Sequence, residues 1–234
     1  MRDLGPTRYV DALEQMRAFV HARVAGRAPG IAPGIAPGIA QGVDPGTGLR
    51  RQPGGDEIWL TEHDPVFTLG RGGNRTHLIA PGDIPVVHTE RGGEVTYHGP
   101  GQVVAYLMLD LPARGLGVRR LVDAIEHALI ATLADFGIGG VRRPGAPGVY
   151  VATDGAKIAS IGLKVTRGIS WHGLALNADM DLAPFARIDP CGYPGLAMTD
   201  VRTCLRARDG GAPAVDLKAL RVALADHLLG AIGR

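Results

Sequence analysis

The sequence predicts an α+β domain built as a mixed sheet flanked by helices, and three observations carry that prediction. Strand patterns cluster in residues 57–111 and 148–177 instead of alternating one for one with helices. Helical periodicity appears near the start, in the middle and at the end of the chain, so a doubly wound βαβ arrangement is disfavoured. The 234-residue length and 45% hydrophobic content suit one core of ordinary size, in a single domain over 1–234.

Each element follows in order. Residues 9–24 (YVDALEQMRAFVHARV) read as a helix with Val10, Leu13 and Phe19 among its apolar positions. Residues 28–42 then repeat Ile-Ala-Pro-Gly, and Gly/Pro-rich sequence continues to Gly55. Proline fixes φ and removes a donor, so this period forms neither helix nor ladder. A disordered insertion at about 27–55 is the expectation. Strands are expected in EIWLTEH, VFTLG, Val86 to Glu90, VTYH and QVVAYLMLDL, with Asp64-Pro65, Gly92-Gly93 and a Gly-Pro-Gly turn between them. Residues 118–136 form the clearest helix: Val118, Leu121, Val122, Ile125, Leu129, Leu133 and Phe136 make one apolar stripe, capped by Gly137. A three-strand meander turns at Asp154-Gly155 and Arg167-Gly168. A loop through Asp189-Pro190-Cys191-Gly192 leads to a last helix near 216–229, with Leu217, Leu220, Leu224 and Leu228 on one face.

Composition excludes several function classes. A formal net charge of +2, with no basic run interleaved with aromatics, argues against nucleic-acid binding. Met1 to Pro6 lacks the apolar stretch of a signal peptide, and the run Val103 to Leu109 stops at Asp110, too short to span a bilayer. Cys191 and Cys204 form no C-x-x-C and no zinc spacing, so no metal is expected. Free thiols fit a reducing cytoplasm.

Chemistry-bearing residues fall in a few places. Of 25 basic residues only Lys157, Lys164 and Lys218 are lysines. On the strand KIASIGLKV, Lys157 falls with Ala159, Ile161, Leu163 and Val165, while Lys164 falls with Ser160 and Thr166. A lysine against apolar surface gives up its proton more readily, which suits a proton shuttle or a cation beside a thiolate. The same residue also reads as a strand-end lysine reaching to water. Cys191 sits in a loop between Pro190 and Gly192, which favours the access a nucleophile needs, although most free cysteines are small buried hydrophobes. Cys204, in VRTCLRAR, reads as a helical bystander. Arg91 to Gln102 holds four glycines and a proline around Arg91, Thr96, Tyr97 and His98, which fits either a pocket mouth or an ordinary hairpin. It has no G-x-G-x-x-G or G-K-[ST], so a nucleotide phosphate cradle is unsupported. His98 and His172 each suit orienting a thiol or a carbonyl, although a satisfied structural histidine is the more common outcome for each.

Together these blocks resemble the lipoyl/octanoyl transferase family. RGGEVTYHGPGQ is similar to its signature, and HDPVFTLGR upstream with KIASIG, WHGLALN and RIDPCGY downstream follow in the same order over residues 57–200. The resemblance implies the α+β fold shared with biotin and lipoate protein ligases. It implies a thioester on Cys191, with Lys157 lowering the thiol pKa and acting as acid and base. It implies substrate contacts at Arg91, Gly92, Gly93, Glu94, Val95, Thr96, Tyr97 and His98, at Ser160, Ile161 and Gly162, and at Gly173, Leu174 and Ala175. The implied reaction moves an octanoyl group from acyl carrier protein to a lysine of lipoyl domains of 2-oxoacid dehydrogenase complexes and of the glycine cleavage H protein. It uses no cofactor of its own, since the donor is octanoyl-phosphopantetheine. An ATP-dependent lipoate or biotin protein ligase is the nearest alternative, and a non-catalytic acyl-carrier-binding module the next. The Ile-Ala-Pro-Gly insertion departs from the family pattern.

Overall fold

The computed structural model of the protein describes residues 1–26, 55–211 and 215–233. Apart from Gly55, the expected insertion at about 27–55 and its tetrapeptide repeat lie outside the described residues.

Four helices, α1 (Tyr9–Ala25), α2 (Val118–Asp135), α3 (Val201–Asp209) and α4 (Leu217–Ile232), accompany ten strands among the described residues. Seven strands form one sheet in the order β1 (Arg2–Pro6), β2 (Glu57–Glu62), β6 (Gln102–Met108), β10 (Ile169–Asn177), β9 (Lys157–Thr166), β8 (Gly148–Val151) and β7 (Gly140–Val141). β1 pairs parallel with β2, and the other pairings of this sheet are antiparallel. A smaller sheet places β3 (Val66–Leu69) between β4 (Val86–His88), parallel, and β5 (Val95–His98), antiparallel.

Both faces of the large sheet are covered. On one, Leu121, Ile125, Leu129 and Leu133 of α2 and Leu220, Leu224 and Leu228 of α4 pack on Val103, Ala105, Leu107, Leu174 and Leu176. Each fully buried leucine or isoleucine contributes about 2 kcal/mol relative to exposure. On the other face, Tyr9, Ala12, Leu13, Met16 and Val20 of α1 meet Trp59, Val104, Tyr106, Met108 and Trp171. Phe67, Leu69, Val95, Tyr97, Phe185 and Ile188 fill a third cluster around the small sheet.

The expected helices and most strands appear within a few residues of their predicted limits, and three differences matter. Val10 is 40% exposed, because the buried stripe of α1 runs through Tyr9 instead. Val118, at the head of the predicted α2 stripe, is 47% exposed and, with Val122, faces a cavity. α2 ends as predicted at Gly137, whose N–H reaches Ala134 O while Ile138 N–H reaches Leu133 O. The third difference concerns β9. Its register against β8 slips between Val149↔Ala159 and Tyr150↔Lys157, so β9 spends two residues where β8 spends one. Across this irregularity Ile158 and Ala159, neighbours that strict alternation would send to opposite faces, both join the core, leaving Lys157 aimed elsewhere.

Candidate active site

Lys157 opens β9 and is 1% exposed. Its backbone is tied to the chain beyond the cysteine loop: Lys157 N–H donates to Ala197 O at 2.8 Å, and Thr199 N–H donates to Lys157 O at 3.0 Å. The near side of that loop is tied as well, since Asp189 N–H donates to His77 O at 2.9 Å and Leu78 bridges Ile188. Between these anchors Cys191 adopts a left-handed backbone (φ 58°, ψ 21°), flanked by buried Pro190 and by Gly192 at φ 73°. A non-glycine residue held there is uncommon and is sustained by its surroundings. The result brings Lys157 Nζ to 3.2 Å from Cys191 Sγ, across 34 residues of chain. Nζ also donates to Pro147 O at 2.9 Å and lies 5.2 Å from the centre of the Tyr150 ring.

The pair opens on a cavity of about 400 Å³. Arg91, Gly92, Gly93, Glu94, Val95, Thr96, His98, Ser160, Ile161, Gly162, Gly173, Leu174 and Ala175 line it together with Lys157 and Cys191. Tyr97 is the exception among the expected contacts. Its side chain leaves the opposite face of β5 from Thr96 and His98 and packs on Phe67 and Phe185, so it is a core residue of the small sheet. Lys164 and Cys204 do not line the cavity, and burial raises the Cys204 thiol's pKa.

The cavity also takes residues that sequence reasoning passed over: Tyr9, Val104, Tyr106, Val118, Val122, Leu163, Tyr193 and the loop 145–147. His172, read as a candidate orienter, joins them through an unusual backbone. At φ 59° it interrupts the alternation of β10, so that neighbouring Trp171 and His172 stack at 4.5 Å on one face. Two adjacent side chains on one face are impossible in a regular strand.

Much of the enclosed polar surface is linked by hydrogen bonds. His98 Nδ1 lies 2.7 Å from Gln102 Oε1, and Gln102 Nε2 donates to Asn177 Oδ1 at 2.9 Å. His172 Nε2 is 3.4 Å from Thr89 Oγ1, which accepts from Tyr9 OH at 3.3 Å. His63 bridges Thr7 O and Tyr106 OH at 2.6 Å each. Arg91 is buried and donates to Thr68 O at 2.7 Å, Thr68 Oγ1 at 2.9 Å and Gly92 O at 2.9 Å. Burial pushes the pKa of His98 and of His172 down to about 3, helped at His98 by His63 and at His172 by Arg91. It lowers His63 and Arg91 as well, and raises Tyr9 and Tyr106. The imidazoles are therefore neutral at ordinary pH.

Residues 47–228 match the lipoyl protein ligase A/B catalytic domain. The chain belongs to that family. Within the lipoyl protein ligase A/B family it is similar to the octanoyltransferase of Pseudomonas putida (strain W619), 62% identical over 201 residues that cover 86% of this chain and 80% of that protein. It is also similar to the octanoyltransferase of Pseudomonas entomophila (strain L48), 53% identical over 202 residues with the same coverage. Among solved structures, a lipoate-protein ligase A bound with ATP superposes with a TM-score of 0.59 at 14% identity, over 76% of this chain and 73% of that one. The bipartite lipoate protein ligase from Thermoplasma acidophilum gives 0.58 at 14%, over 76% and 71%. These likenesses show the lipoate protein ligase fold.

The neutral histidines make stability depend on pH. Their folded values lie below the unfolded value of about 6.5, so the unfolded chain binds the extra protons between those limits. Stability is then fully present above about pH 6.5 and falls on acidification, by up to about 1.4 kcal/mol per pH unit for each histidine. His172→Asn, which keeps a side chain tolerant of left-handed backbone, is expected to flatten the loss measured by urea denaturation between about pH 6.5 and 5. An unchanged slope would mean that His172 is not held neutral.

Proposed function

We propose that the protein is an octanoyltransferase of lipoate biosynthesis that carries the acyl group on Cys191. The observation that carries this reading is the 3.2 Å contact of Lys157 Nζ with the Cys191 sulfur at the edge of the cavity. The high identity to octanoyltransferases over most of the chain supports the same activity.

The proposed chemistry runs in two half-reactions. Cys191 passes its thiol proton to Lys157, and its sulfur attacks the thioester carbonyl of octanoyl-phosphopantetheine on acyl carrier protein. The tetrahedral adduct collapses, the phosphopantetheine sulfur leaves, and it takes a proton from Lys157. The amine of a lysine on a lipoyl domain then attacks the Cys191 thioester. Cys191 sulfur leaves, and the proton lost by the amine returns through Lys157. Because the donor is already activated, the reaction needs no ATP and no cofactor of the protein's own. Burying the octanoyl chain in the cavity would contribute on the order of 5 kcal/mol at ~0.8 kcal/mol per CH₂.

The expected acceptors are lipoyl domains of 2-oxoacid dehydrogenase complexes and the glycine cleavage H protein. Among the described residues no helix is long and apolar enough to cross a membrane. Both thiols are free, which suits work in the reducing cytoplasm.

Two outcomes test the reading. Purified protein given octanoyl carrier protein and a lipoyl domain is expected to transfer the acyl group without ATP, and Cys191→Ser to abolish transfer. An absolute need for ATP with free octanoate would instead mark a ligase. Lys157→Arg keeps a cation but cannot release its proton at working pH. At matched folded fraction it is expected to lower the transfer rate about 10²-fold or more, whereas Lys164→Arg stays near wild type. Equal rates for the two variants would show that charge alone suffices.

A further inference from the structure

Lys157 is held by a carbonyl as well as by sulfur, and that carbonyl is itself held from behind. The Pro147–Gly148 peptide presents its C=O to Lys157 Nζ at 2.9 Å. Its N–H, on the other side of the same rigid plane, donates to Glu126 Oε1 at 3.0 Å. Glu126 stands on α2, 6% exposed, between core-facing Ile125 and Leu129. Its second oxygen accepts from Arg142 Nε at 2.5 Å, and Arg142 also bonds Asp123.

A buried carboxylate is costly unless it is paired and hydrogen-bonded, so its presence on the buried face of α2 calls for a role. The close approach it serves is visible at Gly148. There φ is +125°, and a Cβ would meet Lys157 Cε at 2.8 Å, Lys157 Nζ at 3.2 Å and Ala159 O at 2.4 Å. The peptide is thus pressed against the lysine at a point where glycine alone fits. Tyr150 OH steadies the same loop by donating to Ala146 O at 3.3 Å. A negative charge accepting from one end of a peptide also strengthens the acceptor at its other end.

We infer that Glu126 is a positioning residue for acyl transfer: through the Pro147–Gly148 peptide it sets the Pro147 carbonyl, and with it Lys157 Nζ, against the Cys191 sulfur. Glu126 touches neither substrate nor sulfur. The inference rests on Cys191 as the acyl carrier.

Single-turnover acylation of Cys191 by octanoyl carrier protein, followed by intact mass, tests it alongside the rate of Cys191 alkylation by iodoacetamide. Glu126→Ala is expected to slow both about tenfold or more, with the half-saturating carrier-protein concentration within about twofold of wild type. Glu126→Gln keeps an acceptor for the Gly148 N–H and is expected to recover most of both rates. If Glu126→Ala does not fold, the double variant Glu126→Met, Arg142→Met decides, because it removes the buried ion pair together and replaces it with apolar volume. It is expected to fold and to be slow in both assays. Acylation and alkylation within about twofold of wild type in the alanine or the double methionine variant, or a glutamine variant as slow as alanine, would overturn the inference. Wild-type protein that forms no adduct on Cys191 would instead remove the acyl-carrier reading on which it rests.

Discussion

A lysine amine enclosed to 1% exposure beside a thiol is the constraint on which the rest of the structure depends. An amine so placed needs polar partners, and two distant parts of the chain bring them: the Pro147 carbonyl and the Cys191 sulfur. Ammonium with thiolate and amine with thiol carry the same net charge, so a proton can pass between them without adding charge to the buried site. Holding that geometry explains several local irregularities together. The register slip at the start of β9 turns Lys157 out of the core. The pairing of residues 197–199 with Lys157 closes the cysteine loop onto the lysine, and the left-handed backbone at Cys191 completes the approach.

The cavity wall is organised around uncharged groups. His98, His172, Tyr9 and Tyr106 are all driven toward their neutral forms by burial, and Arg91 spends its terminal donors on backbone and hydroxyl oxygens. Lys157 makes its hydrogen bonds to the Pro147 carbonyl and the Cys191 sulfur. Glu94, the carboxylate that does line the cavity, is occupied by His77 Nδ1 and Asn74 N–H at 3.0 Å each. The terminal donors of Arg91 and one oxygen of Glu94 are thus occupied, and Cys191 is the thiol that lines the cavity.

Most of the fold was legible because strong periodicity decides it. The leucine and isoleucine stripe of α2 and the glycine turns of the 148–177 meander appear where the pattern placed them. The edge strands β1 and β7 were not legible: Arg2–Pro6 contains a glycine and ends in a proline, and Gly140–Val141 is two residues long, so neither has alternation to detect. At the site, the ordered motif blocks singled out Cys191 and Lys157, and distance in space then joined them. Tyr97 was grouped with the cavity because it sits inside a motif, yet period two sends it to the other face of β5. Tyr9 and Tyr106 were missed for the converse reason, since they lie on elements that read as plain core. His172 reaches the cavity through a backbone kink that carries no compositional signal.

The central claim is that Cys191 carries the acyl group between two protein partners. Intact mass of the protein after incubation with octanoyl carrier protein, without acceptor, tests it most directly. The account predicts one added octanoyl mass, released by hydroxylamine, mapping to the peptide that holds Cys191 and still formed by Cys204→Ser. Turnover with sequential kinetics and no such adduct would contradict it.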